Sequence, residues 1–174
     1  NQKYTVTELS APEESPQSVF IYKDQELLLG GIERGNAYHT LMKYIDLNCQ
    51  SVEEVIAQMQ KLQEQKLLSD DYIQLINPEK ILKALKSDII LTAKQNTFYR
   101  EREFLFYADA SQLNLQGEGK VLIQGVIDLL IFTNEGIIIA DYKTTKGPDE
   151  YLISLYQSQL NIYAKAAESV LGER

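Results

Sequence analysis

Two apolar runs separated by a short turn constrain the fold of this chain more than any other feature of its sequence. Residues 120–132 and 137–144 are rich in Val, Ile and Leu, and residues 133–136, Thr-Asn-Glu-Gly, have the composition of a turn. Two β-branched runs this close together predict an antiparallel hairpin. Their near-continuous hydrophobicity predicts that the hairpin is buried on both faces.

The predicted hairpin contains charged residues that buried strands normally exclude. Asp128 lies within the first run, and Asp141 and Lys143 follow the isoleucines of the second. Burying an isolated carboxylate costs on the order of several kcal/mol, so each of these carboxylates needs a partner. Because side chains alternate along a strand, Asp141 and Lys143 are expected to share one face.

The length of the turn decides which residue faces Asp128. A turn of two or four residues places it opposite Asp141, with the Cβ atoms about 5 Å apart, whereas a turn of three residues places it opposite Tyr142. Two facing carboxylates repel each other unless a divalent cation lies between them. Hard oxygen ligands beside an ammonium group suit Mg²⁺ or Mn²⁺ and an anionic substrate. The alternative is a buried Asp–Lys ion pair with no further role.

The rest of the chain predicts helices before the hairpin and one long helix after it. Predicted helices span residues 33–46, 51–65 and 149–171, another begins at Asn77-Pro78, and a strand begins near Thr97. We therefore divide the chain into a polar lead-in that packs on the domain in places (1–26), a mainly helical part (27–95) and a strand–hairpin–helix core (96–174). Together, the 174 residues predict one α/β domain with a helical N-terminal half.

Composition excludes several kinds of site and location. The single cysteine, Cys49, rules out an intrachain disulfide framework and any zinc or iron–sulfur site built from several cysteines of this chain. No apolar stretch predicts a membrane span and no signal peptide opens the chain, so we expect a cytoplasmic protein. Taken alone, the net charge of −8 argues against nucleic acid as a partner.

Four short motifs stand in order along the chain. They are Gly35-x-x-x-His39, Gly125-x-x-Asp128, Asp141-Tyr142-Lys143-Thr144 and Gln159-x-x-x-Tyr163. This set resembles the RecB-type nucleases of the PD-(D/E)XK superfamily, and among them most closely the C-terminal nuclease domain of the AddA/RexA branch of bacterial helicase–nucleases. The resemblance covers most of the chain and is least diagnostic over residues 46–95. It implies a restriction-endonuclease-like core, in which a central, mostly mixed sheet is flanked by helices.

The resemblance also implies a metal site. Asp128 and Asp141 would bind Mg²⁺ or Mn²⁺, the main-chain carbonyl of Tyr142 would complete the ligand shell, and His39 would be a further ligand from the helical part. Without the motif, a lone histidine on an apolar helix face is more simply a packed or solvent-facing residue. The relatives that carry an iron–sulfur cluster need four cysteines, so no such cluster is expected here.

Further residues are implied to act beside this metal. Lys143 would orient the attacking water or stabilise the charge of the phosphorane-like transition state. Gln159 and Tyr163, one helical turn apart, either brace the site or contact DNA. Glu101 and Glu103 most simply form a polar face of the first predicted strand, with a distant metal contact as the alternative.

The implied function is a Mg²⁺-dependent exo- or endonuclease that hydrolyses DNA phosphodiester bonds in double-strand-break repair and recombination, cutting the 3′-terminated strand in the AddA setting. The implied partners are DNA, a helicase motor of the same polypeptide and an AddB/RexB-type subunit, which would make this chain a fragment of a larger protein. The alternatives are a DNA- or partner-docking module with a weak or vestigial site, and a phosphoesterase for small substrates. Because a bound cation reverses the local charge, the net charge does not exclude DNA; it predicts weak, metal-dependent binding by this chain alone.

Overall fold

The strands form one mixed sheet that is packed against helices. The computed structural model describes residues 3–6, 9, 25–109, 119–143 and 149–171, and within them the sheet has four strands. In chain order the elements are β1 (Lys3–Thr5), α1 (Gln25–Tyr44), α2 (Val52–Glu64), α3 (Asp70–Leu75), α4 (Pro78–Leu85), α5 (Asp88–Gln95), β2 (Thr97–Asp109), β3 (Lys120–Thr133), β4 (Gly136–Ala140) and α6 (Asp149–Leu171). The predicted α/β class with a mixed sheet is confirmed. None of the helices in the described ranges is long and apolar enough to cross a membrane.

Side-chain caps start two helices where the sequence predicts them. The Ser51 hydroxyl accepts a hydrogen bond from the Glu54 amide at 3.2 Å at the start of α2, and the Asn77 side chain accepts one from the Lys80 amide at 3.1 Å at the start of α4. Other boundaries differ from the prediction. Helix α1 begins at Gln25 rather than at residue 33, and α3 and α5 are separate short helices that the sequence analysis did not delimit.

β3 is the central strand, and its two edges have different neighbours. β2 pairs antiparallel with β3 along one edge. On the other edge β1 pairs in parallel with β3 up to Gln124, and β4 pairs antiparallel with it from Leu129 onward. Between these two residues no strand in the described part of the chain covers that edge. Asp128 lies at the end of this gap, where the segment after β4 leaves the sheet.

The β3–β4 hairpin has the register that places Asp128 next to Asp141. Leu129 pairs with Ala140 in a ladder that closes on a two-residue turn, so Asp128 falls opposite Asp141 one position beyond the last pair. This confirms the predicted register for a short, even-numbered turn and excludes the three-residue turn.

β4 is shorter and more exposed than the sequence predicts. It ends at Ala140, so the next three residues are not part of a strand, and the fourth lies outside the described residues. The Tyr142 amide donates to the Asp128 carboxylate at 2.6 Å rather than to a neighbouring strand. Ile137 keeps 40% of its surface exposed. The prediction of burial on both faces is therefore wrong for β4, which is an edge strand.

Two hydrophobic cores lie on opposite faces of the sheet, and β3 contributes to both. Helices α1 to α5 pack with Leu129 and Ile131 in the first core, and α6 packs with Ile127 and Leu130 in the second. Leu129, Leu130 and Ile131 alternate as expected for a strand. Ile127 and Leu130 share a core although they are three residues apart, so the alternation shifts between them, at Asp128.

The backbone of β2 is distorted directly opposite this shift. The residues on either side of Glu101 pair with the residues on either side of Asp128, so Glu101 faces Asp128 across the two strands. Glu101 has a φ of 51°, a left-handed conformation that costs a non-glycine residue about 1–3 kcal/mol. Glu101, which has the strained backbone, and Asp128, where the alternation shifts, therefore lie side by side in the sheet, near His39 of α1.

Gly125 lies where the chain has no room for a side chain. A Cβ atom at this position would stand 2.6 Å from Cζ of Phe104 and 2.8 Å from Cγ2 of Val6. We expect Gly125→Ala to lower the free energy of unfolding by about 1–3 kcal/mol, because overpacking forces its neighbours to move. Chemical denaturation measures the change. Gly31→Ala is the control, since a Cβ there has nothing within 4 Å; equal destabilisation by both variants would contradict this explanation.

Candidate metal and catalytic site

His39 reaches from α1 to the point where β3 and the segment after β4 separate. Its Nε2 lies 2.8 Å from the main-chain carbonyl oxygen of Tyr142, and its Nδ1 lies 3.2 Å from Oδ1 of Asp128. Because a carbonyl oxygen only accepts hydrogen bonds, Nε2 carries a hydrogen in this geometry. The hydrogen bond to Asp128 raises the pKa of His39 and outweighs the opposing effect of burial. The structure thus brings three of the implied metal ligands together.

Asp128 joins the segments that meet here. Among the described residues it is the only buried polar or charged one, with 6% of its surface exposed. Oδ1 faces His39, and Oδ2 accepts the hydrogen bond from the Tyr142 amide. With both oxygens engaged, the carboxylate is held by a helix on one side and by the chain after β4 on the other. Asp128 thus has the partners that a buried carboxylate requires.

Glu101 is the site residue that the favoured interpretation of the sequence missed. One oxygen of Glu101, one nitrogen of His39 and one oxygen of Asp128 all lie within 4.8 Å of one another. Burial, followed by the nearby charge of Asp128, raises the pKa of Glu101. Glu101 is therefore part of the site rather than of a polar strand face, whereas Glu103 is exposed. Only the register of β2 against β3 could have identified it, and the sequence does not reveal that register.

Asp141 and Lys143 form an ion pair beside this cluster. Oδ2 of Asp141 lies 2.6 Å from Nζ of Lys143, and Nζ lies 4.9 Å from the centroid of the Tyr156 ring on α6. Burial raises the pKa of Asp141, and Lys143 only partly offsets this effect. The ion pair of the alternative interpretation is therefore present, but it lies next to the His39 cluster and not in isolation.

Gln159 and Tyr163 bind each other on α6. The Gln159 side-chain amide donates to the Tyr163 hydroxyl at 2.8 Å, and the Tyr163 ring packs edge-on against Phe104 with a centroid distance of 5.6 Å. Tyr163 is buried in the second core, which raises its pKa to about 12. This position favours the bracing role of the two residues over direct contact with a substrate.

The electrostatics of the site fit a hard divalent cation. Glu101 and Asp128 lie in the cluster with His39, and Asp141 is near enough for the charge of Asp128 to affect it. Burial raises the pKa values of Glu101 and Asp141 because it disfavours their charges. Carboxylate and carbonyl oxygens are the donors that Mg²⁺ and Mn²⁺ prefer. A bound cation would offset the repulsion between the carboxylates, so the residues present fit the metal that the resemblance implies.

Arg100 holds the helix that carries His39 against the sheet. Its Nη1 donates to the carbonyl oxygens of Met42 at 2.9 Å and Ile45 at 2.7 Å, at the C-terminal end of α1. We expect Arg100→Leu to lower the free energy of unfolding by about 2–3 kcal/mol, since hydrogen bonds from a charged group each contribute about 1.5–3 kcal/mol. Thermal denaturation tests this.

Arg102→Leu is the matched control for Arg100→Leu. Arg102 is exposed on the same strand, and its guanidinium lies 5.7 Å from the centroid of the Tyr99 ring. A cation–π contact at an exposed position is worth about 0.5–1 kcal/mol, so the control should cost less than the substitution of Arg100. If the two leucine variants lose the same stability, Arg100 does not anchor α1.

A protein family and several curated relatives match most of this chain. The model of the PD-(D/E)XK nuclease superfamily matches residues 8–174. The chain is 32% identical over 158 residues to an ATP-dependent helicase/nuclease subunit of Clostridium beijerinckii, which covers 82% of the chain and 12% of that protein. The protein of the same name from Listeria monocytogenes is 30% identical over 164 residues, covering 86% of the chain and 13% of the relative. The one from Clostridium novyi is 27% identical over 177 residues, covering 95% and 14%.

The matches cover most of this chain but only a small part of each relative. The chain spans 12 to 14% of the length of these curated relatives, so they are far larger proteins than the matched region. The family match runs through all the residues of the site, from His39 on α1 to Tyr163 on α6. Sequence motifs, sheet topology and family match lead to the same conclusion: this chain belongs to the PD-(D/E)XK nuclease superfamily.

Proposed function

We propose that this chain is a metal-dependent nuclease domain that hydrolyses DNA phosphodiester bonds. The observation that carries the proposal is the convergence of His39, Glu101, Asp128 and the Tyr142 carbonyl next to the Asp141–Lys143 pair. Ligand atoms suited to a hard cation and a side-chain ammonium group lie side by side, which is the combination that cleavage of a phosphodiester needs.

The residues that would hold the metal are His39, Asp128, Asp141 and the carbonyl of Tyr142, with Glu101 as an additional ligand. Mg²⁺, or Mn²⁺ in its place, would supply a Lewis acid and lower the pKa of a bound water. The chain itself contributes the position of each donor, because α1, β2, β3 and the segment after β4 all meet at this point. Burial of Asp128 keeps its carboxylate from turning toward solvent.

Lys143 would place a positive charge where negative charge develops on the phosphate during hydrolysis. Its ammonium group is held by Asp141 at 2.6 Å and by the face of Tyr156, so its position is defined before a substrate binds. Gln159 and Tyr163 would act indirectly, by bracing α6 against β2.

The wider setting is part of the same proposal. The relatives are named as subunits of ATP-dependent helicase/nucleases. On that basis we propose that the nuclease acts together with a helicase motor and an AddB-type subunit in double-strand-break repair. We further propose that it cuts the 3′-terminated strand, leaving 5′-phosphate and 3′-hydroxyl ends.

A substrate and metal panel tests the proposed activity. Single-stranded and duplex oligonucleotides and bis(p-nitrophenyl) phosphate are incubated with the chain in EDTA, Mg²⁺ or Mn²⁺. We expect cleavage of DNA only with a divalent metal, and little turnover of the small diester. Preferred turnover of the small diester would instead indicate a general phosphoesterase. Absence of cleavage, together with no uptake of Mg²⁺ or Mn²⁺ at millimolar concentration by calorimetry, would indicate a docking module.

A further inference from the structure

A cavity of about 450 Å³ opens between helices α1 and α4, next to the segment that carries Asp141 and Lys143. Apart from that segment, its walls are formed by Arg34, Tyr38, Met42, Lys80, Ile81 and Ala84. Known ligand pockets have volumes of about 300–1,000 Å³, so this cavity is large enough for a small organic group. Only its α4 wall lies within residues 46–95, where the sequence motifs are least informative, and the proposed chemistry assigns no role to Arg34, Tyr38 or Lys80.

Both helices present a regular face to the cavity. Arg34, Tyr38 and Met42 are spaced by four residues along α1, and Lys80 and Ala84 are spaced by four along α4, so each set lies on one side of its helix. The two helices are tied together at this point.

A hydrogen bond to Tyr38 and the burial of one side of α4 fix the two helices relative to each other. The Tyr38 hydroxyl accepts a hydrogen bond from the Asn77 amide at 3.0 Å, at the start of α4. Ile81 is 1% exposed in the first core, which holds α4 against the rest of the domain. The backbone of α4 at Lys80 is therefore held at a defined position relative to the segment that carries Lys143.

The charges around the cavity favour an anion. Arg34 and Lys80 are exposed, and within the described residues neither forms an ion pair with a carboxylate. The only acid in the wall is Asp141, which is already paired with Lys143. Among the described residues of the cavity wall, Arg34, Lys80 and Lys143 thus face a single carboxylate, which is a local excess of positive charge in a chain with a net charge of −8.

We infer that this cavity is a nucleotide subsite for the residue of the DNA strand next to the scissile phosphodiester, an inference that rests on the proposed nuclease function. The flanking phosphate lies against Arg34 and Lys80. The sugar and base lie against the ring of Tyr38, because Met42 and Ile81 in the wall are almost fully buried. The strand thus enters the site along α1 and α4 before it reaches Lys143.

Binding of single-stranded DNA tests the subsite separately from cleavage. Fluorescence anisotropy with a labelled oligothymidylate is measured in an Asp128→Asn background, which suppresses cutting of the strand. All the compared variants share this background, so an effect of Asp128→Asn on Tyr142 in the cavity wall is common to them. Arg34→Ala and Lys80→Ala should each weaken binding about 5- to 10-fold at low salt. Each should also reduce the slope of log K against log salt by about 0.7, the value for one phosphate contact with a single strand.

Lys83→Ala is the matched control, because Lys83 is exposed on the same helix but is not part of the cavity wall. It should change neither the affinity nor the salt slope beyond the general effect of one surface charge. Binding that is undetectable, or equal losses in the Lys80 and Lys83 variants, would overturn the subsite. Cleavage by the unmodified chain is scored in parallel, so the proposed nuclease function can stand when the subsite fails. All variants are first compared by thermal denaturation to exclude loss of the fold.

Discussion

Asp128→Asn will reduce metal-dependent DNA cleavage by about three orders of magnitude or more, because one side chain serves several parts of the site. Its carboxylate faces His39 and accepts the hydrogen bond that positions Tyr142. An amide in its place loses the negative charge and presents a donor where only an acceptor fits. The variant therefore loses a proposed metal ligand and the group that holds His39 and Tyr142 in place.

The measurement is single-turnover cleavage of a labelled oligonucleotide at saturating Mg²⁺. Asp109→Asn is the control, since Asp109 is an exposed carboxylate near the end of β2, in the same sheet but opposite Lys120. It should leave the rate unchanged. Because Asn has nearly the volume of Asp, the fold should survive, and the melting temperature in EDTA verifies this. An Asp128→Asn variant that cuts DNA at the rate of the unmodified chain would refute the proposed metal site.

Glu101→Gln is expected to weaken the apparent affinity for Mg²⁺ by about 10- to 100-fold, the usual effect of removing a group that supports a metal site. The reason is the position of its carboxylate, which lies within 4.8 Å of the ligand atoms of His39 and Asp128. Burial and the nearby Asp128 raise the pKa of Glu101, so the ionised form is disfavoured in the metal-free fold. A neutral glutamine should thus cost metal affinity without costing stability.

Titration of the cleavage rate with Mg²⁺, and of the melting temperature with Mn²⁺, measures this effect. Glu103→Gln is the control, because Glu103 is exposed two residues away on the same strand. A ligand that binds only the folded state stabilises it by about 2.7 kcal/mol at 100 times its Kd, so the metal-induced shift should decrease in Glu101→Gln alone. Identical half-saturating concentrations for the two variants would show that Glu101 is not a ligand.

Local features of this fold are predictable because short-range rules determine them. The start of α2 at Ser51 and that of α4 at Asn77 follow from side-chain capping. The pairing of Leu129 with Ala140 follows from strand alternation once the turn has an even number of residues, which the sequence left open. The start of α1 at Gln25 was not predicted. The pairing of β1 with β3 was not predicted either, because it joins residues as far apart in the chain as Lys3 and Leu122.

The candidate site likewise combines residues that the sequence predicts with features that it does not. His39, Asp128, Asp141 and the carbonyl of Tyr142 are identified by a family resemblance, and the structure brings three of these four into direct contact. The end of β4 before Asp141 was not predicted. It depends on the hydrogen bond from the Tyr142 amide to the Asp128 carboxylate of β3, and the alternation of residues along a strand does not predict such a bond.

The sequence by itself determined the family and the motif residues proposed for the site, because these depend on residue types and on spacings within short segments. It left two alternatives for the hairpin register, and the two-residue turn of the structure selected one of them. Only the tertiary structure decided that Glu101 belongs to the site and that Arg34 and Lys80 share a cavity beside Lys143. The first depends on a distortion of the sheet. Glu101 in β2 has a positive φ, the side-chain alternation of β3 shifts at Asp128, and both side chains lie near His39 of α1. The second depends on the hydrogen bond from the Asn77 amide to the Tyr38 hydroxyl and on the burial of Ile81 in the first core, which join α4 to residues far away in the chain through contacts that no local pattern specifies.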